Sequence, residues 1–352
     1  MRENREVRSR RVLSCFALVV CTIGSACDDD PTRPSGGEPR EYAVVLNSVS
    51  NSLTVFPVDA PDSTRTIALG PTGTPTTLDV RGSIALVPLG LFPALAVVDL
   101  ADGVLSRTIP LPEAGGATGV AIANDSVAFV GNPELNTISP VRYRAGTAAA
   151  EIAVGRYPTA LAALGDRIFV LEANLVDFVP DGPSTVSVVD ADEWVVDADF
   201  TLSGRNAGDA LVLGDSIVLV LNRGDFGAAN GSLSVIRLPI AAEAEHNSGF
   251  GEGTGTLALL EDGQLAVSSW AFGIALFDLG AGAFTIAPSN GVVPEGAVNV
   301  LAAAADGEGR LHVVSAGDCA APGSLLRLDD ALQVAASATV GSCPIDVAFT
   351  TF

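Results

Sequence analysis

The sequence predicts an all-β fold, a seven-bladed β-propeller whose ring is closed by the C-terminal strand pairing with the N-terminal strand. One unit recurs along the chain: an apolar strand, a tight turn and a strongly β-branched strand, with successive turns 41 to 49 residues apart. Propeller blades repeat at about 40–50 residues. Residues 41–352 carry the repeats, more than the roughly 250–300 residues at which a single core stops growing. A repeat architecture is therefore expected.

The tight turns contain residues that tolerate the backbone of short hairpins. They are Arg81-Gly82, Asn124-Asp125, Gly165-Asp166, Gly214-Asp215, Asp262-Gly263 and Asp306-Gly307. Gly, Asn and Asp adopt positive φ more readily than other residues. Each turn is expected to join the first and second strands of a blade.

Four strands are expected in each blade. The first strands read PTTLDV (75–80), ATGVAI (117–122), PTALAAL (158–164), AGDALVL (207–213), GTLALL (255–260), AVNVLAAA (297–304) and PIDVAFT (344–350). The second strands read YAVVLN (42–47), SIALVP (83–88), SVAFVG (126–131), RIFVLE (167–172), SIVLVL (216–221), QLAVSS (264–269) and RLHVVS (310–315). The third strands read SLTVFPV (52–58), ALAVVDL (94–100), TISPVRY (137–143), TVSVVDA (185–191), SLSVIRL (232–238), GIALFDL (273–279) and SLLRLDD (324–330). A weaker fourth strand follows in several blades, and blade five is expected to lack a regular one over residues 239–250.

Two of these strands have no partner within their own repeat. PIDVAFT (344–350) has no second strand after it, and YAVVLN (42–47) has no first strand before it. Pairing the two closes the ring and removes the free edges that an open sheet would expose.

The repeats resemble those of a known family. SLTVFPV…RTIALGPTGTPTTLDV and TVSVVDA…DFTLSG…AGDALVL are similar to the strands of the YVTN-repeat propellers, the YncE-like group. The resemblance covers residues 42–352 and implies the fold. It implies no activity, because these propellers are diverse and a fold hosts many functions.

The N-terminus has the pattern of an export signal. Residues 1–11 are basic and polar, and residues 12–23 are a short apolar run, too short to span a membrane, which takes about 20 residues. The small residues before Cys27 resemble a bacterial lipobox, which implies lipidation of Cys27. The alternative is ordinary cleavage after Ala26. We expect a signal peptide at 1–26, a lipidated Cys27 with a disordered tether at 27–40, and a propeller at 41–352. The protein is expected to be lipid-anchored in the cell envelope, at the periplasmic or outer surface.

The charge excludes one class of partner. The formal net charge is −22, and all 19 basic residues are Arg. Residues 1–26 contain five Arg and two Glu, so the remainder is three charges more negative than the whole chain. Such a surface repels nucleic acid. We expect a monomer that binds an unknown envelope protein or a small ligand.

No residue pattern indicates catalysis. The chain has only two His, whereas His-based metal sites need two or three at defined spacing. The sequence also lacks a G-x-S-x-G nucleophile elbow, so it gives neither His a serine partner for a catalytic triad. No cofactor or metal site is expected. Calcium is the one ion that the oxygen-rich loops holding Asp177, Asp181, Asp225 and Asn230 would suit, and solvated loop acids are the alternative.

Two long loops carry the main functional indication. They connect the second and third strands of blade four (173–184) and blade five (222–231), and long loops on a rigid scaffold often bind ligands. The candidate ligand-binding residues there, with one from the following blade, are Asn174, Asp177, Asn222, Arg223, Asp225 and Trp270. The alternative is that such loops vary in length without a function.

The links that lead into blades four and five add three candidates. Arg156 and Arg205 occupy equivalent places in these links, and Tyr157 follows Arg156. Because Arg recognises carboxylate and phosphate with a forked geometry, we expect the pair near the channel mouth, where an anionic ligand would bind. Ion pairing with nearby acids is the alternative.

A disulfide is predicted between Cys319 and Cys343. Cys15 and Cys21 lie in the signal and Cys27 is the lipidation site, which leaves this pair. Export favours oxidation, and both positions fall in connections expected on one face of the ring. Two free thiols are the alternative. Taken together, the sequence predicts a binding or scaffold module without catalysis. The alternatives are a propeller enzyme of lactonase or lyase type, using carboxylates or calcium at the channel mouth, and a purely structural surface protein.

Overall fold

The computed structural model describes residues 39–239 and 242–352. Within these ranges the strands form seven antiparallel sheets with four strand positions each, and one small two-stranded hairpin. The first strands of successive sheets lie side by side in a ring. We call each sheet a blade and number its strands outward from this ring.

The strands of blades one to seven have the following bounds. The first strands are Pro344–Thr351, Asp79–Arg81, Thr118–Ile122, Pro158–Leu164, Ala207–Leu213, Thr254–Leu259 and Val300–Ala305. The second strands are Glu41–Asn47, Ile84–Pro88, Val127–Asn132, Arg167–Glu172, Ile217–Asn222, Gln264–Ser269 and Leu311–Ser315. The third strands are Ser52–Pro57, Ala94–Asp99, Thr137–Arg142, Thr185–Asp190, Gly231–Arg237, Gly273–Asp278 and Pro322–Leu328. The fourth strands are Arg65–Ala68, Val104–Pro110, the pair Thr147–Ala148 and Ile152–Ala153, Val196–Thr201, Glu243–Gly251, Ala283–Ile286 and Val334–Ser342.

Two short 3-10 helices and the small hairpin lie in the connections. The helices are Pro133–Leu135 and Pro288–Asn290, and the hairpin pairs Leu175–Val176 with Val179–Pro180. No helix among the described residues is long and apolar enough to cross a membrane.

The core lies between blades. Side chains of the second and third strands point to both faces of their sheet, so each blade packs against two neighbours. Val44 and Leu46 of blade one pack in one cluster with Val87 of blade two, and Val45 packs with Val314 of blade seven. Similar clusters fill each of the other interfaces between neighbouring blades. Burial on both faces explains why these strands read as continuous apolar runs.

The ring closes as predicted. The C-terminal strand Pro344–Thr351 pairs antiparallel with Glu41–Asn47, with Val45 opposite Val347. The chain end thus supplies the innermost strand of blade one, and the seven-bladed all-β prediction is confirmed.

The prediction for blade five was wrong. Residues 243–251 form a fourth strand that pairs with the third, with Leu233 opposite Asn247 and two register shifts along the pair. Most of this strand is exposed or half-buried, and only Phe250 and Gly251 at its end are buried. An outer strand facing water needs no apolar alternation, so its polar sequence gave no β signal.

Candidate binding face at the mouth of the central channel

Two sets of connections emerge on one face of the ring. They are the loops between second and third strands and the links from each fourth strand to the next blade. Backbone hydrogen bonds join the two sets: the N–H of Asn174 donates to the carbonyl of Arg156 (3.1 Å), and that of Arg223 donates to the carbonyl of Asn206 (2.9 Å). We call this face the mouth face, because the central channel opens on it.

The residue before the first strand has a left-handed backbone in most blades. Its φ is 60° at Tyr157, 57° at Asn206, 55° at Asn299 and 54° at Cys343, and in blade six it is Gly253 with a φ of 64°. Asn tolerates this region, whereas a bulky side chain such as Tyr157 seldom occupies it. The repeat geometry therefore imposes a strained backbone on Tyr157, the one aromatic residue at this position.

The long loop of blade four is a folded hairpin. Asn174 organises it, with its side-chain amide donating to the carbonyls of Asp181 and Pro183 at 3.0 Å each. At the tip, Asp177 and Phe178 have φ values of 49° and 64°, and the Phe178 side chain is 63% exposed. Asn174 thus shapes the loop, while Phe178 is presented to solvent.

The long loop of blade five is closed by one side-chain pair. The Asp225 N–H donates to Asn230 Oδ1, and Asn230 Nδ2 donates to Asp225 Oδ2, both at 2.9 Å. The closure leaves Phe226 66% exposed. Asp225 therefore shapes its loop as Asn174 shapes the neighbouring one.

Arg156 and Arg205 pair with these loops. Arg156 Nη1 lies 2.9 Å from Asp181 Oδ2, and Arg205 Nε lies 3.3 Å from Asp225 Oδ1. Arg205 also donates to the carbonyl of Pro180 (2.8 Å). Neither lines the channel or its mouth. Their arrangement corresponds to the ion-pair alternative, which holds each link to its loop.

A cleft of about 320 Å³ opens on the mouth face over the channel. Glu134, Tyr157, Phe178 and the 82%-exposed Leu91 are among the residues that line it. The rings of Tyr157 and Phe178 meet edge to face with centroids 6.0 Å apart. Burial raises the pKa of the Tyr157 phenol, and the negative charge of Glu134 raises it further. We call this the mouth cleft.

The channel beneath the cleft has a volume of about 430 Å³, and its lining includes three aspartates from first strands. Each accepts a backbone N–H from the first strand region of the next blade: Leu78 donates to Asp346 (3.0 Å), Ile122 to Asp79 (2.7 Å) and Leu257 to Asp209 (2.8 Å). The carboxylates therefore join neighbouring blades where the strands are closest to the axis. The individual strands gave no indication of this, although Asp recurs in PIDV, TLDV and AGDA at similar places in the repeat.

Burial raises the pKa of all three carboxyls, to about 6 for Asp79 and Asp209 and about 7 for Asp346. The N–H groups that donate to these carboxylates oppose the shift, because hydrogen bonds to an ionised carboxylate stabilise its ionised form and lower its pKa.

Arg223 lines both the channel and the mouth cleft. Its guanidinium lies over Gly208 and donates to the Gly208 carbonyl (3.1 Å). A Cβ on Gly208 would lie 2.3 Å from Arg223 Nε, so glycine is required for this close approach. Burial lowers the pKa of Arg223, while the charges of Asp209 and Asp346 raise it.

Asn222 and Trp270 have different surroundings. Asn222 is fully buried at the end of a second strand and donates to Ser234 Oγ (2.9 Å). Asn47 and Asn132 end the second strands of their own blades in the same way. Trp270 is 55% exposed and packs beside Gly253. The structure thus gives Asn222 a place in the blade interior and Trp270 a place on the mouth face.

Exposed apolar side chains are concentrated on this face. Of the fifteen large apolar residues exposed in the described chain, eleven lie in mouth-face connections. These eleven, which we call the apolar rim, are Val49, Leu91, Phe92, Leu135, Val176, Phe178, Val179, Phe226, Trp270, Val293 and Val298. They come from six consecutive blades. Single exposed apolar residues are ordinary, whereas contiguous apolar patches are often found at interaction surfaces.

The two predicted cysteines are brought together on the same face. Their sulfur atoms are 2.00 Å apart, and the two positions are separated by 24 in the sequence. Cys319 lies in the loop between the second and third strands of blade seven, and Cys343 directly precedes the closing strand. The pairing therefore ties that strand to the last blade, as predicted.

No group of three or more His, Cys, Asp or Glu side chains within residues 39–239 and 242–352 has an arrangement able to hold a metal ion. The buried His312 contacts Asp306, with its Nε2 2.9 Å from Oδ2. Burial lowers the His312 pKa, and the bond to Asp306 opposes the shift. His312 is thus a hydrogen-bonded core residue.

Solved structures with a similar fold include hydrazine synthase of Kuenenia stuttgartiensis, which is 14% identical, with a TM-score of 0.61 over 75% of this chain and 79% of that chain. The WD40 β-propeller domain of Doa1 is 10% identical, with a TM-score of 0.58 over 78% and 86%. This chain is a seven-bladed β-propeller. A functionally unknown protein from Desulfotomaculum acetoxidans is 13% identical, with a TM-score of 0.60 over 88% and 98%.

At these identities the likeness shows the fold alone. No protein-family model matches the sequence, and no curated protein matches it either. Function must therefore be argued from the mouth face itself.

Proposed function

We propose that this propeller is a binding or scaffold module of the bacterial cell envelope, of the YVTN-repeat type, which engages its partner through the mouth face and catalyses no reaction. The observation that carries the proposal is the apolar rim. Eleven exposed apolar side chains on one face do not make an acidic propeller more soluble. A partner that covers them would remove their apolar surface from water, which stabilises a complex by about 25 cal/mol per Å² buried.

Location in the envelope is part of the proposal. Its support is the basic and apolar N-terminal pattern and the small residues before Cys27, which lie outside the described residues. Anchoring through Cys27 followed by a polar tether would hold the propeller near a membrane while leaving its mouth face accessible. Two or more acyl chains hold a protein stably, whereas one does so marginally.

The channel carboxylates favour binding over catalysis. Asp79, Asp209 and Asp346 each accept an N–H that joins two blades. A lactonase or lyase would need such groups turned toward a substrate, and a purely structural protein would leave the apolar rim without a partner.

A tagged copy expressed in its native envelope tests the proposal. Wild type should recover one specific partner. The triple variant Leu91→Ser, Phe178→Ser, Phe226→Ser should lose it while melting at the wild-type temperature, because these side chains are exposed. The control Val195→Ser, an exposed apolar residue in the turn between third and fourth strands of blade four, should keep it. Equal recovery by wild type and the triple variant would contradict the proposal.

A further inference from the structure

The charge of the mouth face specifies the kind of partner more closely than the apolar rim does. Its connections carry eight acidic residues and three arginines. The acids are Glu113, Glu134, Asp177, Asp181, Asp225, Glu252, Glu295 and Asp318. Two of the arginines are already paired with Asp181 and Asp225. The face is therefore apolar and net acidic.

The mouth cleft concentrates this character. Glu134 lies beside the edge-to-face pair of Tyr157 and Phe178, and aromatic faces together with a carboxylate attract ammonium and guanidinium groups. Arg223 is the one basic residue in the lining of the cleft and channel, against the carboxyls of Glu134, Asp79, Asp209 and Asp346. Its guanidinium is held on Gly208 at the inner strand of blade five.

We infer that the occupant of the mouth face is a protein segment that presents apolar side chains around an arginine or lysine, whose cationic group enters the mouth cleft beside Glu134, Tyr157 and Phe178. This inference rests on the proposed function and adds the partner's chemistry to it. Apolar contacts with the rim supply affinity, and charge complementarity supplies the preference for a basic partner.

The same charges disfavour two other occupants. A second copy of this chain would match apolar rim to apolar rim but would bring two acidic faces together. An anionic membrane surface would be repelled for the same reason. Both become outcomes of the test.

Two synthetic amphipathic peptides serve as probes of the purified mature chain. They have identical leucine positions, with arginine in one and glutamate in the other at the remaining sites. Binding is measured by fluorescence anisotropy at low and high salt. The arginine peptide should bind about tenfold more tightly or better, a difference of about 1.4 kcal/mol, and the advantage should shrink at high salt.

Matched variants locate the contact. Glu134→Gln should weaken the arginine peptide severalfold and should not weaken the glutamate peptide. The control Asp192→Asn, at an exposed acid in the turn between the third and fourth strands of blade four on the opposite face, should change either by less than about twofold. Phe178→Ser should weaken the arginine peptide as well. Thermal melting confirms that each variant is folded.

Equal binding of the two peptides, with both weakened by Phe178→Ser, would overturn the cationic preference and leave the proposed function standing. Binding of neither peptide would contradict both. Binding to anionic vesicles, or a dimer in sedimentation that Phe178→Ser dissociates, would overturn the inference in favour of a membrane or a second copy.

Discussion

At the scale of single residues, the channel aspartates combine two opposing effects. Each stabilises the contact between two blades through its accepted N–H, and each is penalised by burial when ionised. Asp346 illustrates both: it accepts the N–H groups of Leu78 and Val347 at 3.0 and 2.9 Å, while its pKa is raised to about 7 by burial first, and by the charges of Asp209 and Asp79 after that.

These raised pKa values predict how stability depends on pH. Below about pH 4 the carboxyls are protonated in both states, since an unfolded Asp has a pKa of about 3.9. Between about pH 4 and 7 the unfolded chain releases protons that the folded chain retains at Asp79, Asp209 and Asp346. The contribution of these three carboxyls to the free energy of unfolding should therefore fall as pH rises through this window and level off above it.

Asp346→Asn should flatten that dependence. The amide keeps one acceptor for an N–H but cannot ionise, so the variant should lose about 1 kcal/mol at pH 4 and less, or nothing, at pH 8. Urea denaturation across pH 4–8 measures the slope, with the exposed Asp192→Asn as the control. A slope in Asp346→Asn equal to the wild-type slope would refute this role.

The sequence predicted the positions of residues that the repeat fixes, and it did not predict contacts that depend on how the loops fold. Tyr157 and Arg223 line the mouth cleft because the repeat places links and loops on one face, and repeats are visible in sequence. The pairing of Arg156 with Asp181 and of Arg205 with Asp225 depends on how two loops fold back. Leu91 and Glu134 lie in short loops whose sequences do not indicate a binding site. They reach the cleft only because the blades are assembled side by side in the ring.

At the scale of elements, burial decides what the sequence reveals. First, second and third strands are apolar because neighbouring blades cover them, and all seven copies of each were predicted near their observed positions. The fourth strand of blade five was missed because Glu243–Gly251 faces water for most of its length. Its hydrogen bonds to the third strand form it without an apolar pattern.

The closing strand leads to a second prediction. Replacing both Cys319 and Cys343 by Ser should lower the free energy of unfolding by roughly 3 kcal/mol, the chain-entropy value for a loop of 24 residues. Adding reductant to the wild type should lower it by a similar amount and leave the double variant unchanged. Recovery of both cysteines as free thiols from exported protein, by non-reducing peptide mapping, would contradict an oxidised pair.

At the scale of the whole molecule, closure of the ring determines which side chains are exposed together on the mouth face. Pairing of Glu41–Asn47 with Pro344–Thr351 joins the two ends of the repeat array in one blade, and an interblade core cluster fills each interface. A rigid ring of this kind fixes the mouth-face connections relative to one another. The apolar rim is therefore a property of the assembled ring, and no single loop contains enough apolar residues to indicate it.

Site-specific photo-crosslinking in the native envelope tests most directly whether the mouth face binds a partner. A photoreactive amino acid replaces Phe178 or Trp270 on the mouth face, or Val195 on the opposite face as the control. If the mouth face binds a partner, both mouth-face positions should give one discrete crosslinked partner and Val195 should give none. Crosslinks that arise equally from all three positions, or from Val195 alone, would contradict a binding role for the mouth face.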